Sequence, residues 1–169
     1  MAIKYLGELV KLVDSIPSNA LWWRNHMSIW RWCRQHTLIS PAQHDAWLER
    51  IETDPTIKMF GIRAVQSDSK DIGVCGFTSI NQRNQSAEFS LYIAPEHQKF
   101  GYGKSALRTL VRHGFEDWNL HRIWGETFDG NPAYKVFGEL GFQLEGILRD
   151  TYYREGKFIN SHIYATIKP

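Results

Sequence analysis

The stretch Pro95-Glu96-His97-Gln98-Lys99-Phe100-Gly101-Tyr102-Gly103-Lys104-Ser105-Ala106 decides how the rest of the chain is read. Before it, Ala87, Phe89, Leu91 and Ile93 alternate with Glu88, Ser90 and Tyr92, the period of a β-strand over residues 87–93. After it, Leu107, Leu110, Val111, Phe115 and Trp118 recur every three or four residues, which predicts a helix over residues 104–118. Gly101 and Gly103 thus stand between a strand and a helix start. The first turn of a helix presents N–H groups with no intrahelical partner, at the positive end of the helix dipole. Glycines there let an anion approach the main chain closely. A bound phosphate or diphosphate is the direct expectation.

Outward from this loop the chain changes grammar. On its N-terminal side, residues 58–65 and 72–80 read as strands joined by a polar turn at residues 66–70, with a second turn at residues 81–85. Residues 7–13 are apolar enough for a first strand, and residues 19–34 predict one or two short helices. Ser40-Pro41 opens a clearer helix: Ser40 suits the N-cap, Pro41 the first helical position, and Gln43 completes a capping box. On the C-terminal side follow a strand at residues 122–128 and a short helix with Ala133, Val136, Phe137 and Leu140 on one face, stopped by Gly141. A final strand pair at residues 143–153 and 157–167 turns at Arg154-Glu155-Gly156. Meander, strand–helix–strand–helix, then hairpin is an α/β (α+β) arrangement: about seven strands in a mixed, mostly antiparallel sheet flanked by about four helices.

Composition narrows the classes. The 169 residues are about one domain's worth, so residues 1–169 are expected to form a single unit. Twenty basic against 18 acidic residues are too balanced for a nucleic-acid footprint. No apolar run is long enough for a membrane span, and the first eight residues lack a signal peptide's apolar core. Cys33 and Cys75 make no disulfide framework, so a reducing cytoplasm is expected. The seven histidines are scattered, with no metal-ligand spacing. Aromatic residues stand out at 14%, and four of the seven tryptophans fall within residues 21–33.

Three devices place glycines at such a loop. Gly103-Lys104-Ser105 matches the end of a P-loop, but the required first glycine falls at Gln98, which excludes it. Gly101, Gly103 and Ala106 fit a dinucleotide fingerprint. That pattern requires a first parallel strand directly ahead and an acid closing the next strand; three antiparallel-looking strands precede here, and Asp129 is poorly placed. Finally, Gln98-Lys99-Phe100-Gly101-Tyr102-Gly103 resembles the [RQ]-x-x-G-x-[GA] signature of the GNAT superfamily of N-acetyltransferases. The strand at residues 87–93, the helix ending in Glu139-Leu140-Gly141-Phe142, and Leu144-Glu145-Gly146 with the Arg154–Lys157 hairpin extend the likeness. It is similar to the RimJ/RimL and spermidine-acetyltransferase branch over nearly the whole chain.

The resemblance implies an acetyl-CoA-dependent N-acetyltransferase in which a neutral primary amine attacks the thioester directly. The acceptors it implies are a small amine, a nucleotide-linked amino sugar or a protein N-terminus. It implies that backbone groups of Leu91, Tyr92 and Ile93 pair with the pantetheine arm, and that Gln98, Lys99, Phe100, Gly101, Tyr102, Gly103 and Lys104 surround the pyrophosphate. Glu88 is the candidate base; an ion pair with Arg83 or another cation is its competing reading. Where many relatives carry a tyrosine as acid for the thiolate, this chain has Phe137, which leaves Tyr134, one turn earlier, as candidate. Asn131 is the polar group expected beside the cofactor arm, or else a helix cap. Acceptor-side helices at residues 18–54 supply Trp22, Arg24, His26 and Trp30 as substrate-binding candidates, amid Trp23, Asn25, Arg31, Trp32, Arg34 and His36. The cofactor core is expected at residues 86–142. No metal, nucleic-acid or membrane partner is implied, and a homodimer is open. Phe137 keeps a rival alive, a non-catalytic acyl-CoA-binding or interaction module; a dinucleotide-binding protein is the third reading.

Overall fold

The computed structural model describes residues 9–66 and 70–169. Seven strands form one sheet: β1 (Val10–Val13), β2 (Lys58–Ala64), β3 (Asp71–Asn81), β4 (Ser86–Ile93), β5 (Arg122–Phe128), β6 (Gln143–Arg154) and β7 (Lys157–Ile167). Their order is β1-β2-β3-β4-β5-β7-β6. Every pairing is antiparallel except β4 with β5. A meander leading into the glycine loop removes the dinucleotide reading, which requires parallel strands ahead of it. Residues 7 and 8 of the expected first strand, and residues 67–69 of the first turn, lie outside the described residues.

Among the described residues there are five helices: α1 (Ala20–Arg24), α2 (Met27–Trp30), α3 (Pro41–Thr53), α4 (Tyr102–Glu116) and α5 (Tyr134–Glu139). The segment at residues 19–34 holds two of them, parted at His26, which takes an extended backbone and caps α2 by accepting from the Ser28 N–H. The capping box of α3 forms as expected between Ser40 and Gln43. Gly141, at φ 80°, ends the segment of α5.

The two faces of the sheet are covered differently. On one, α4 buries Ala106, Leu107 and Leu110 against Phe77, Ala87, Ile93 and Ile123. Full burial of each leucine contributes about 2 kcal/mol, so the start of α4 is held firmly over the end of β4. α5 adds Phe137 to the same core. On the other face, Trp23 of α1 and Ile29 of α2 pack with Ala94 and Tyr92, while Trp47 and Ile51 of α3 pack with Met59 and Val74. Among the described residues, no helix is long and apolar enough to cross a membrane.

The feature that positions a site is a parting of strands. β3 pairs with β4 along the whole of β4, from Asn81↔Ser86 to Gly73↔Ile93. β5 pairs with β4 only at Ser86↔Arg122, Ala87↔Ile123 and Glu88↔Trp124, then continues with β7 as far as Phe128↔Ser161. Past Glu88 the two strands diverge. Gly125 lies just beyond the last pair, and a Cβ there would collide with the ring of Phe89, which leans across the gap.

Candidate active site

The wedge between β4 and β5 has one wall made of main chain. Residues 89–93 of β4 are paired to β3 on one edge and to no described strand on the other, so peptide donors and acceptors line the opening. At its mouth the chain makes a single 3-10 turn, Pro95–His97, and enters α4. Lys99 and Gly101 both take positive φ, 68° and 84°, which folds the loop back on itself. Glycine suits the second position because it has no Cβ to strain there. Gly101 is the N-cap of α4 and no side chain caps the helix, so its first amides face outward at the positive end of the dipole. A Cβ on Gly103 would sit 3.6 Å from Ile93 and 4.0 Å from Leu91, which directs any side chain at 103 into the wedge.

Side chains brace this loop. Gln98 donates through Nε2 to the Ile93 carbonyl (3.0 Å) and to Ser28 Oγ (3.2 Å), tying the loop to the end of β4 and to α2. Lys104 forms an ion pair with Glu139 of α5, whose carboxyl it holds below the usual carboxylate range. Lys104 therefore bridges α4 and α5, and Phe100 is exposed. Tyr92 points the other way, its hydroxyl donating to the Ala20 carbonyl at 3.3 Å, and burial pushes that phenol well above its ordinary pKa.

At the apex, where the strands part, charge is buried. The side chain of Glu88 is only 6% exposed and that of Glu126 only 8%. Glu88 aligns with Trp124, two residues before Glu126 on the neighbouring strand, so alternation puts both carboxylates on the α1–α2 face. Arg34, four residues beyond the end of α2, reaches between them: Nη2 lies 2.5 Å from Glu88 Oε1 and Nη1 lies 3.5 Å from Glu126 Oε2. The cation beside Glu88 is thus Arg34 and not Arg83. Burial works against the Arg34 charge, but the hydrogen bond and charge of Glu88, with Glu126, outweigh it and hold the guanidinium above its ordinary pKa. The other oxygen of Glu88 has a long 3.5 Å contact from Thr78 Oγ1. Burial, together with the nearby Glu126 carboxylate, pushes the Tyr152 hydroxyl up. Arg154 lies over the rings of Phe128 and Tyr152 and donates to the Cys33 and Arg34 carbonyls at 2.8 and 2.9 Å, which anchors the loop carrying Arg34.

The remaining expected residues divide. Phe137 is buried and meets Phe89, Phe142 and Tyr164 at ring-centroid distances of 5.4, 5.8 and 5.2 Å. Tyr134, at the first turn of α5, is 48% exposed. Asn131 accepts from the Ala133 N–H at 3.0 Å and caps the turn before α5, which starts at Tyr134. Trp22 is 61% exposed with His26 beside it, and Trp30 packs on His36. Arg24 donates to the Gln35 carbonyl at 3.2 Å, so it holds the same loop as Arg154 from the opposite side. Glu126, Tyr152 and Arg154 were not singled out from the sequence. The signal was a charged residue inside an otherwise apolar strand, at Glu126. Among the described residues, no cluster of three metal-ligating side chains is present.

Comparison with known proteins decides the family. The family model for the acetyltransferase (GNAT) domain matches residues 12–143, most of the chain and all of the wedge. The protein belongs to this family. Among curated relatives, the uncharacterized N-acetyltransferase YoaA of Bacillus subtilis is 34% identical over 60% of this chain and 59% of its own length. A spermidine N(1)-acetyltransferase of Vibrio cholerae is 34% identical over 52% of this chain and 51% of its own. The chain thus spans between half and three fifths of these relatives. The solved structure of a Vibrio cholerae spermidine N-acetyltransferase in complex with CoA and spermine superposes with a TM-score of 0.85, covering 94% of this chain and 95% of that one at 22% identity. At that identity the likeness establishes the fold.

Proposed function

We propose that this GNAT-family protein transfers the acetyl group of acetyl-CoA to a primary amine by direct attack of the amine on the thioester. The observation that carries the reading is the wedge: an unpaired β4 edge running from a buried carboxylate, Glu88, to an uncapped helix start. The residues fit a diphosphate-bearing acyl thioester. The amides from Gln98 to Lys104 meet the phosphates, the open edge at Leu91, Tyr92 and Ile93 pairs with the amide-rich arm, and the acyl end comes to rest near Glu88. Lys99 adds charge at the loop, and Asn131 lies on the α5 side of the arm.

In this reading Glu88 takes the proton from the attacking amine through Oε2, directly or by way of water, since Oε1 is held by Arg34. Unpaired N–H groups of β4 stabilise the oxyanion. Phe137 has no proton to give; Tyr134 or water serves the departing thiolate. The helices of residues 18–54 form the acceptor wall, with Trp22, Arg24, His26 and Trp30 on it, and residues 86–142 the cofactor core. We place the protein in the cytoplasm, given two unpaired cysteines, with a homodimer left open and no nucleic-acid or membrane partner expected.

The test is a thiol-release assay with acetyl-CoA and a panel of amines. Amine-dependent release of CoA, with the N-acetyl product seen by mass spectrometry, is the expected result. CoA binding without turnover on any amine would favour the non-catalytic module that the buried Phe137 keeps in play.

A further inference from the structure

Two buried carboxylates on adjacent strands form a cation seat, because neither charge is stable away from water without a partner. In this protein the seat at Glu88 and Glu126 is filled from within the chain by Arg34. Its side chain is 50% exposed, so it lies between the carboxylates and solvent, where an amine of the proposed reaction would come in. The charge around it is not acidic. Arg24 and Arg154 bond to carbonyls of the same loop, and each leaves one buried guanidinium nitrogen without a hydrogen-bond partner. Neither forms an ion pair among the described residues. One guanidinium thus fills the seat and two more hold the loop that carries it, so a guest bringing several more positive charges meets Arg34 with no free carboxylate to receive them.

We infer that Arg34 is a specificity-determining residue: by occupying the cation seat of Glu88 and Glu126, it restricts the site to amines whose remaining skeleton is neutral or anionic and shuts out polyamines. This rests on the wedge being the acceptor site, but it reads out in binding alone.

The experiment is calorimetric titration of spermidine onto the wild-type protein and variants, with far-UV circular dichroism as the folding control. Arg34→Ala should bind spermidine about tenfold tighter than wild type or better, as expected when a repelling charge leaves a desolvated pair. Arg34→Lys should stay near wild type, because the charge is kept. Adding Glu126→Gln to Arg34→Ala should cancel the gain. A residue that merely props the loop would, on removal, weaken binding and not strengthen it. Unchanged or weaker spermidine binding by folded Arg34→Ala overturns the proposal, and so does a gain that Arg34→Lys shares or that Glu126→Gln leaves intact. If Arg34→Ala does not fold, Arg34→Gln, which keeps length and donors, carries the same comparison. Loss of the acetyl-transfer reading would appear in the thiol-release assay and leave this result readable.

Discussion

The two sides of the wedge are made from different materials. The side proposed for the cofactor is main chain: an open strand edge, two residues at positive φ and an uncapped helix start. The side proposed for the acceptor is side chains: Arg34 between Glu88 and Glu126, Arg154 over two rings. Main-chain recognition depends on local conformation and suits a ligand that does not vary. Side-chain recognition is assembled from distant segments and can change one residue at a time.

The comparison breaks most severely at Gly103. A glutamate there would project into the wedge toward Ile93 and Leu91 and set a negative charge beside the phosphates. CoA affinity by calorimetry should fall about 100-fold or more, whereas Gly103→Ala, whose Cβ has room, should cost only a few-fold. Equal effects of the two would mean that the phosphates bind elsewhere. Glu88→Gln tests the other side. It should lower kcat about 100-fold and leave CoA affinity unchanged. Steady-state kinetics with direct CoA titration would separate the two effects.

Smaller effects sharpen the boundary between the two sides. Gln98→Ala removes both bonds that tie the loop to Ile93 and Ser28 and should weaken CoA binding about fivefold, roughly 1 kcal/mol. The smallest effect concerns the cysteines. Burial pushes both thiols up, Cys33 bonding to the Ile29 carbonyl and Cys75 being fully enclosed. Neither thiolate is available near neutral pH. Native protein treated with Ellman's reagent should therefore release colour far more slowly than denatured protein, which leaves the thiol-release assay with a low background.

The legibility of the molecule follows the same division. Strand alternation at 87–93, the Gly101-x-Gly103 spacing and the Ser40 capping box are local, and each lies in the sequence as it does in space. The apex is not local. Arg34 meets Glu88 across 54 positions and Arg154 meets the Cys33 carbonyl across 121, so no spacing announces either contact. The tryptophan-rich segment divides in space: Trp23 is core, Trp22 is exposed, and the charge that reaches Glu88 from just beyond it belongs to Arg34. The short α5 began later than expected because Asn131 spends its side chain on the preceding turn.

The aromatic floor of the wedge has a further bearing. Phe89, leaning over Gly125, is closed from behind by Phe137, Phe142 and Tyr164. A packed ring cluster of this kind admits no solvent channel through the face it occupies. In the proposed reaction it would keep water off the thioester from that side, and a seated amine would displace water from the other, so the nucleophile itself would limit wasteful hydrolysis.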